Sequence, residues 1–134
     1  MSAKENVQLV EQAYVNFKQG NIPAILGVLS EDVDWFIPGP AELIPFVGRR
    51  RGPAQVGEFF GGLAASQSAL KFEPREFISQ GDKVVVLGHQ QWTVKSTGQT
   101  YEDDWAHVFT IRRGRIAQFR EYHDTHAEAT AHRS

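Results

Sequence analysis

Apolar residues recur at helical spacing in the first half of the chain. The first such run consists of Val7, Val10, Tyr14 and Phe17. Ser2 and Glu5 precede it with the spacing of a capping box, and Gly20 is suited to ending the helix. The same reasoning predicts a short helix at 22–30, a strand at 33–37, an apolar loop at 41–52 and a third helix that begins at residue 52 and carries Phe59.

Alternation of apolar and polar residues replaces this helical spacing from Leu70 onward. Turn sequences at 80–82 and 96–99 separate the alternating runs, which predicts antiparallel hairpins. The predicted strands span 70–79, 83–93, 100–112 and 115–124. Helices followed by strands predict an α+β domain in which the helices cover one face of a curved sheet. We expect a single domain over residues 1–126 and a frayed tail over 127–134.

The last predicted hairpin carries an unusual set of polar side chains. Because side chains alternate faces along a strand, Trp105 and His107 share one face with Phe109. The second strand is ambiguous, since both of its faces carry apolar residues. One register aims Arg120, Tyr122 and Asp124 inward, whereas a one-residue bulge exchanges Tyr122 and Asp124 for Glu121 and His123. We take the first register as the working prediction.

Composition narrows the function classes. The chain has 134 residues, no cysteine and a formal net charge of -2. The absence of cysteine removes thiol catalysis and Cys-ligated zinc, and favours a cytoplasmic location. The sequence has no basic stripe of the kind that binds nucleic acid, and the run Arg49-Arg50-Arg51 is too short to form one. An apolar run of membrane-spanning length and a signal-peptide core are both missing, so we expect a soluble protein.

Short motifs in a fixed order resemble those of a known family. The motifs are Gly20-Asn21-Ile22, Asp32-Val33-Asp34-Trp35, Gly48 to Gly52, Gln80-Gly81-Asp82-Lys83-Val84, Thr97-Gly98-Gln99, Gly114-Arg115-Ile116 and Arg120 to Thr125. The chain resembles the SnoaL-like, ketosteroid-isomerase-related branch of the nuclear-transport-factor-2-like superfold. The resemblance implies a cone-shaped, strongly curved antiparallel sheet covered by N-terminal helices, enclosing a pocket. It also implies a homodimer that pairs through the outer face of the sheet.

The resemblance also suggests which residues carry chemistry. The position of the isomerase base falls at or near Ile37, which cannot transfer protons, so steroid isomerisation by that route is disfavoured. SnoaL-type cyclases carry their acid-base aspartate where Asp124 stands, and a histidine where His107 stands. Epoxide hydrolases of the superfold also use this aspartate, but their Arg-x-Asp motif is replaced here by His89-x-Gln91.

Two hypotheses follow for the site, and both remain open at this point. In the first, Asp124 is a general base and His107 its polarising partner in proton transfer next to a carbonyl, as in a cofactor-free isomerase or cyclase. In the second, Asp124 closes the strand end structurally, and the chain only binds a hydrophobic ligand or a second copy. The predicted pocket lining comprises Tyr14, Trp35, Phe59, Trp105, Arg120 and Tyr122.

No metal site or cofactor is predicted. In a regular strand His123 faces away from Asp124, so the two cannot share an ion. Nucleotide-binding glycine loops and dinucleotide fingerprints are absent from the sequence. The expected partner is a hydrophobic, carbonyl-containing small molecule rather than a nucleic acid or a membrane.

Overall fold

A computed structural model of the chain describes residues 2–134. Three helices and two strands occupy the first half, four long strands follow, and a further helix ends the chain. In order these are α1 (Ala3–Lys18), α2 (Ile22–Leu26), β1 (Leu29–Ile37), β2 (Gly48–Arg51), α3 (Gly52–Ser66), β3 (Gln67–Gln80), β4 (Lys83–Val94), β5 (Thr100–Arg112), β6 (Arg115–Tyr122) and α4 (Thr125–Ala131).

Helix α1 forms as its local signals predict. The Ser2 hydroxyl accepts a hydrogen bond from the Glu5 amide at 3.1 Å, and the Glu5 carboxylate accepts one from the Ser2 amide at 3.1 Å. Gly20 follows the helix with φ +71°, a left-handed conformation that glycine adopts without a steric penalty. The face that carries Val10 and Tyr14 is buried against the sheet, so α1 places Tyr14 in the interior.

The sheet has six strands in the order β2-β1-β6-β5-β4-β3. Strands β3 to β6 form an antiparallel meander, while β1 pairs in parallel with β6 and so brings the first half of the chain beside the last strand. The sheet curls without closing, and the helices fill its concave side. The predicted α+β fold is therefore confirmed. Within residues 2–134, none of the helices is long and apolar enough to cross a bilayer.

Strand β6 contains a bulge that decides which side chains face inward. Ile116 pairs with Ile111, but Gln118 pairs with Thr110, so Ala117 is an extra residue in β6. The parallel pairing of β1 with β6 shifts register at the same place. Beyond Ala117, three side chains therefore face inward: Phe119, Glu121 and His123.

Three sequence predictions about the ends of elements need correction. The short helix predicted at 22–30 ends at Leu26, and residues 29 and 30 already belong to β1. Residues 48–51, predicted as loop, form the edge strand β2. Residues 127–131 of the tail predicted to fray instead belong to helix α4, which Asp124 caps by accepting a hydrogen bond from the Ala127 amide at 2.9 Å. Burial of Glu128, Ala129 and Ala131 holds this helix against the sheet, a tertiary effect that local composition does not reveal.

Candidate functional site

A cavity of about 90 Å³ lies between the helices and the concave side of the sheet. Aromatic and aliphatic side chains from α1, α3 and the strands form most of its wall. Several titratable or amide side chains gather at one end, which we call the polar end. It comprises Gln67, Gln90, Tyr101, His107, Glu121, His123 and Glu128. A cavity with an apolar body and a few convergent polar groups has the usual composition of a small-molecule site.

A hydrogen-bonded chain runs from α1 to β6 along this cavity. The Tyr14 hydroxyl lies 2.7 Å from Nδ1 of His107, and Nε2 of His107 lies 3.0 Å from Oε2 of Glu121. Trp105 stacks on the His107 ring with centroids 3.9 Å apart, which fixes the plane of the imidazole. Both nitrogens of His107 are therefore occupied, and its ring is buried.

The protonation states in this chain follow from burial and partners. Burial lowers the pKa of His107 despite the nearby Glu121, so the imidazole is neutral at pH 7. Burial alone would raise the pKa of Glu121, but the hydrogen bond from His107 and the charge of His123 hold it below its ordinary value. Because the Glu121 carboxylate can only accept, Nε2 of His107 carries the hydrogen, and Tyr14 donates to Nδ1.

His123 is a buried cation surrounded by carboxylates. Its Nδ1 lies 2.9 Å from Oδ2 of Asp103, and its Nε2 lies 3.3 Å from Oε1 of Glu128 and 3.7 Å from Oε1 of Glu121. Burial would lower its pKa, but Asp103, Glu128 and Glu121 together raise the pKa of His123 to about 11. Neither Nε2 of His123 nor Oε1 of Glu128 is aligned for a hydrogen bond, although the two atoms are close.

Two branches of hydrogen bonds anchor the carboxylates around His123. Tyr101 donates to Glu128 at 2.8 Å and accepts from Gln67 at 2.8 Å. Gln90 donates to Asp103 at 2.8 Å. These branches join α4, β3 and β4 to the site, so the acidic groups are held by elements distant in sequence.

The structure brings together only some of the predicted site residues. Tyr14, Trp35, Phe59 and His107 line the cavity. Trp105 is buried directly behind His107 and supports its ring, but it is not part of the cavity lining.

The inward orientation predicted for Arg120, Tyr122 and Asp124 is wrong, because the bulge at Ala117 turns these side chains outward. Arg120 pairs with Asp34 at 3.2 Å, and Tyr122 is 59% exposed. Asp124 is exposed and caps α4. The alternative register, with Glu121 and His123 inward, is the one observed.

Sequence reasoning missed Glu128 of the polar end and also Asp103, which pairs with His123 at 2.9 Å without lining the cavity itself. Glu128 lies in the segment predicted to fray. Asp103 belongs to an acidic run, Glu102 to Asp104, of which alternation on β5 turns only Asp103 inward. Strand alternation applied to that run could have identified Asp103, whereas no local signal marks Glu128.

The polar end does not offer a metal centre. Among residues 2–134, no group of three or more histidine and carboxylate side chains has an arrangement that could hold a metal ion. The carboxylates of Asp103 and Glu128 are instead paired with His123.

The fold and the cavity together define a class of protein in which a curled sheet and its covering helices enclose a ligand pocket. The family model for the SnoaL-like domain matches residues 10–119, and the chain belongs to this family, as the sequence resemblance predicted. No curated protein matches this chain.

Solved structures agree with this assignment. An NTF2-like protein from Burkholderia xenovorans is 37% identical, with 99% of each chain covered and a TM-score of 0.90. An NTF2-like protein of unknown function from Burkholderia pseudomallei is 27% identical over 100% of each chain, with a TM-score of 0.89. TerC, co-crystallised with polyporic acid, is 29% identical, with 97% of this chain and 99% of TerC covered and a TM-score of 0.85.

Proposed function

We propose that this protein binds an apolar, carbonyl-containing small molecule in the cavity and transfers a proton at the carbon next to the carbonyl. Glu121 is the base in this proposal, and His123 is the cationic donor that stabilises the developing oxyanion. This keeps the reaction class expected from the sequence but moves the base from Asp124 to Glu121. The role expected for His107 changes from polarising the substrate to positioning the base.

One observation carries the proposal. Oε1 of Glu121 and Nε2 of His123 lie 3.7 Å apart at the cavity, and neither makes a hydrogen bond within the described chain. A ligand carbonyl could accept from Nε2 of His123 while the hydrogen on its neighbouring carbon approaches Glu121. The net charge of the site is unchanged by this step, because Glu121 becomes neutral as the ligand becomes an enolate.

Tyr14 and His107 act as positioning residues for Glu121. The hydrogen bond from His107 occupies Oε2 and leaves Oε1 as the atom that can accept a proton. Tyr14 stays protonated, since burial and the charge of Glu121 hold its pKa well above the ordinary value. It therefore donates to His107 and fixes the tautomer that Glu121 requires.

One comparison structure supports the binding of a small molecule. TerC, which is 29% identical to this chain, was crystallised with a small organic molecule. In this chain the aromatic side chains of the cavity wall provide apolar surface for an organic ligand, with Trp35 stacked on Phe119 at a centroid distance of 4.1 Å.

Exchange of solvent deuterium into small ketones, followed by proton NMR, tests the proposal. We expect Glu121→Gln to slow the catalysed exchange of 2-butanone by roughly two to four decades while the fold remains intact. Asp124→Asn is the matched control, because it makes the same kind of change at the exposed carboxylate. Equal exchange rates for Glu121→Gln and the wild type would contradict the proposal.

The positioning role of His107 has a separate readout. His107→Gln removes an interaction that lowers the pKa of Glu121, so the acidic limb of the pH–rate profile should move to higher pH. A loss of rate with an unchanged profile would indicate only a structural role.

A non-catalytic binding role is the second candidate, and a specific observation favours it. The pKa of Glu121 lies below its ordinary value, and a carboxylate that is easily ionised is a weak base. A ligand that raises the melting temperature of the wild type and of Glu121→Gln equally, with no exchange in either, would select this role.

Dimerisation and a cytoplasmic location also belong to the proposal. The outer face of the sheet presents an apolar patch of Val85, Leu87, Ala106 and Val108, which pair across β4 and β5. The register that aims Arg120 inward would place its neighbour Phe119 on this outer face, but Phe119 is buried on the concave side. The patch supports a symmetric interface between two copies.

A further inference from the structure

A surface groove of about 550 Å³ adjoins the cavity between the end of α1, the end of α3 and the start of β3. The groove and the cavity share six wall residues, which therefore form a single dividing layer. They are Phe17, Phe60, Leu63, Gln67, Phe72 and Trp92. Three of these, Phe17, Leu63 and Phe72, are only partly buried, so rotation of side chains at the wall would join the two spaces.

The chemistry of the groove differs from that of the cavity. Its own lining is apolar, with Leu70 56% exposed to solvent. The charged side chains among the described groove residues are Lys18 and Lys71. Lys71 has a weak partner in Glu102 at 3.8 Å, and its side chain is 52% exposed.

The cavity has the opposite electrostatic character. Its lining includes the carboxylates of Glu121 and Glu128, partly balanced by His123. An anionic group would be repelled by these two carboxylates inside, whereas the lysines of the groove would attract it. The charge pattern therefore favours a ligand that binds with its uncharged end in the cavity and its anionic end in the groove.

Size also points to a ligand longer than the cavity. Pockets for drug-sized ligands enclose about 300 to 1,000 Å³, and the cavity alone has about 90 Å³. A molecule that fills both spaces would cross the dividing layer and cover the exposed Leu70.

We propose that cavity and groove bind one elongated ligand, with a carbonyl end in the cavity, an apolar chain across the dividing layer and an anionic end beside Lys18 and Lys71. The placement of the carbonyl end rests on the proposed function. The groove and its preference for an anionic end rest on the shared wall and the two lysines.

Binding of three probes, followed by tryptophan fluorescence through Trp92 in the dividing layer, tests the inference. The probes are 2-butanone, 2-decanone and 9-oxodecanoate. We expect 2-decanone to bind more tightly than 2-butanone by up to about fourfold for each buried methylene. We expect 9-oxodecanoate to bind several-fold more tightly than 2-decanone at low salt, with this preference lost at high salt.

Paired variants locate the long probe. Leu70→Asp should weaken the binding of 9-oxodecanoate at least tenfold. Ile78→Asp should leave that affinity unchanged, because Ile78 lies on the same strand and is 50% exposed but is outside the groove. The double variant Lys18→Gln with Lys71→Gln should bind 2-decanone and 9-oxodecanoate equally. Lys4→Gln, at the far end of α1, is its control.

The outcomes separate this inference from the proposed function. Exchange of 2-butanone with no gain in affinity for the longer probes would overturn the groove inference and leave the function standing. Groove-dependent binding of 9-oxodecanoate without exchange of any ketone would support the groove and overturn the catalytic role. Equal effects of Leu70→Asp and Ile78→Asp would overturn the groove inference.

Discussion

The two sides of the sheet carry the same kinds of residue in opposite environments. Three consecutive acids of β5, Glu102 to Asp104, divide between them. Asp103 turns inward to His123, with 6% of its side chain exposed, while Asp104 turns outward to His89, with 84% exposed. Water solvates the outer cluster whether or not it is paired, whereas the inner charges depend on one another and on the buried donors Tyr101 and Gln90.

Acidic partners raise the pKa of both His89 on the outer side and His123 on the inner side, but the two histidines differ in their burial. Hydrogen bonds to Asp104 and Glu102 raise the pKa of His89 at the surface. His123 reaches a pKa of about 11 against the effect of burial. The inner cluster is therefore the one where a single substitution leaves uncompensated charge in the interior.

Removal of His123 should produce the largest effect. We expect His123→Leu to lower the free energy of unfolding by about 3 to 5 kcal/mol, because it leaves buried carboxylates without their cation. His89→Leu, the matched change on the outer side, should have a far smaller effect because water takes over the solvation of its partners. Urea unfolding measures both, and comparable losses would remove the distinction between the two sides.

The pH dependence of stability sharpens the same comparison. The folded-state pKa of His123, about 11, exceeds its ordinary value of 6.5. The contribution of protonated His123 to the free energy of unfolding is therefore complete below pH 6.5. It is lost as the pH rises toward 11, by at most about 1.4 kcal/mol per pH unit. We expect unfolding free energies measured between pH 7 and 10 to fall less steeply in His123→Leu than in the wild type. Equal slopes would show that His123 is not the group responsible.

An acidic substitution on the outer face tests what the apolar patch does. In a symmetric dimer Val108→Glu places a charge in the interface of both copies, so dimerisation should weaken at least tenfold, or about 1.4 kcal/mol. The melting temperature should be affected much less than the association. Sedimentation velocity measures the association, and a wild-type protein that is monomeric at tens of micromolar would exclude this interface.

Asp124 should show the smallest effect. Asp124→Ala removes the cap of α4 and should cost about 1 kcal/mol, while Asp124→Asn retains most of that capping. Neither variant should slow ketone exchange, in contrast to Glu121→Gln. Loss of exchange in Asp124→Asn, with an unchanged melting temperature, would restore Asp124 as the base and contradict the proposed role of Glu121.

Much of the fold could be predicted from local signals. The capping box of Ser2 and Glu5, the helical spacing that includes Tyr14 and the strand alternation through His107 all act between near neighbours in the chain. The family motifs then indicated how these elements assemble. The sequence thus determined the SnoaL-like fold and the inward position of Tyr14 and His107.

Only the tertiary structure decided which charged side chains join Tyr14 and His107 in the site. The bulge at Ala117 arises where β6 must pair with β5 on one side and with β1 on the other. That single extra residue exchanges Tyr122 and Asp124 for Glu121 and His123 on the concave side. Glu128 reaches the cavity because α4 packs onto the sheet with Tyr101 as its partner. Such contacts join residues far apart in sequence, and their energies depend on burial, which no local pattern specifies.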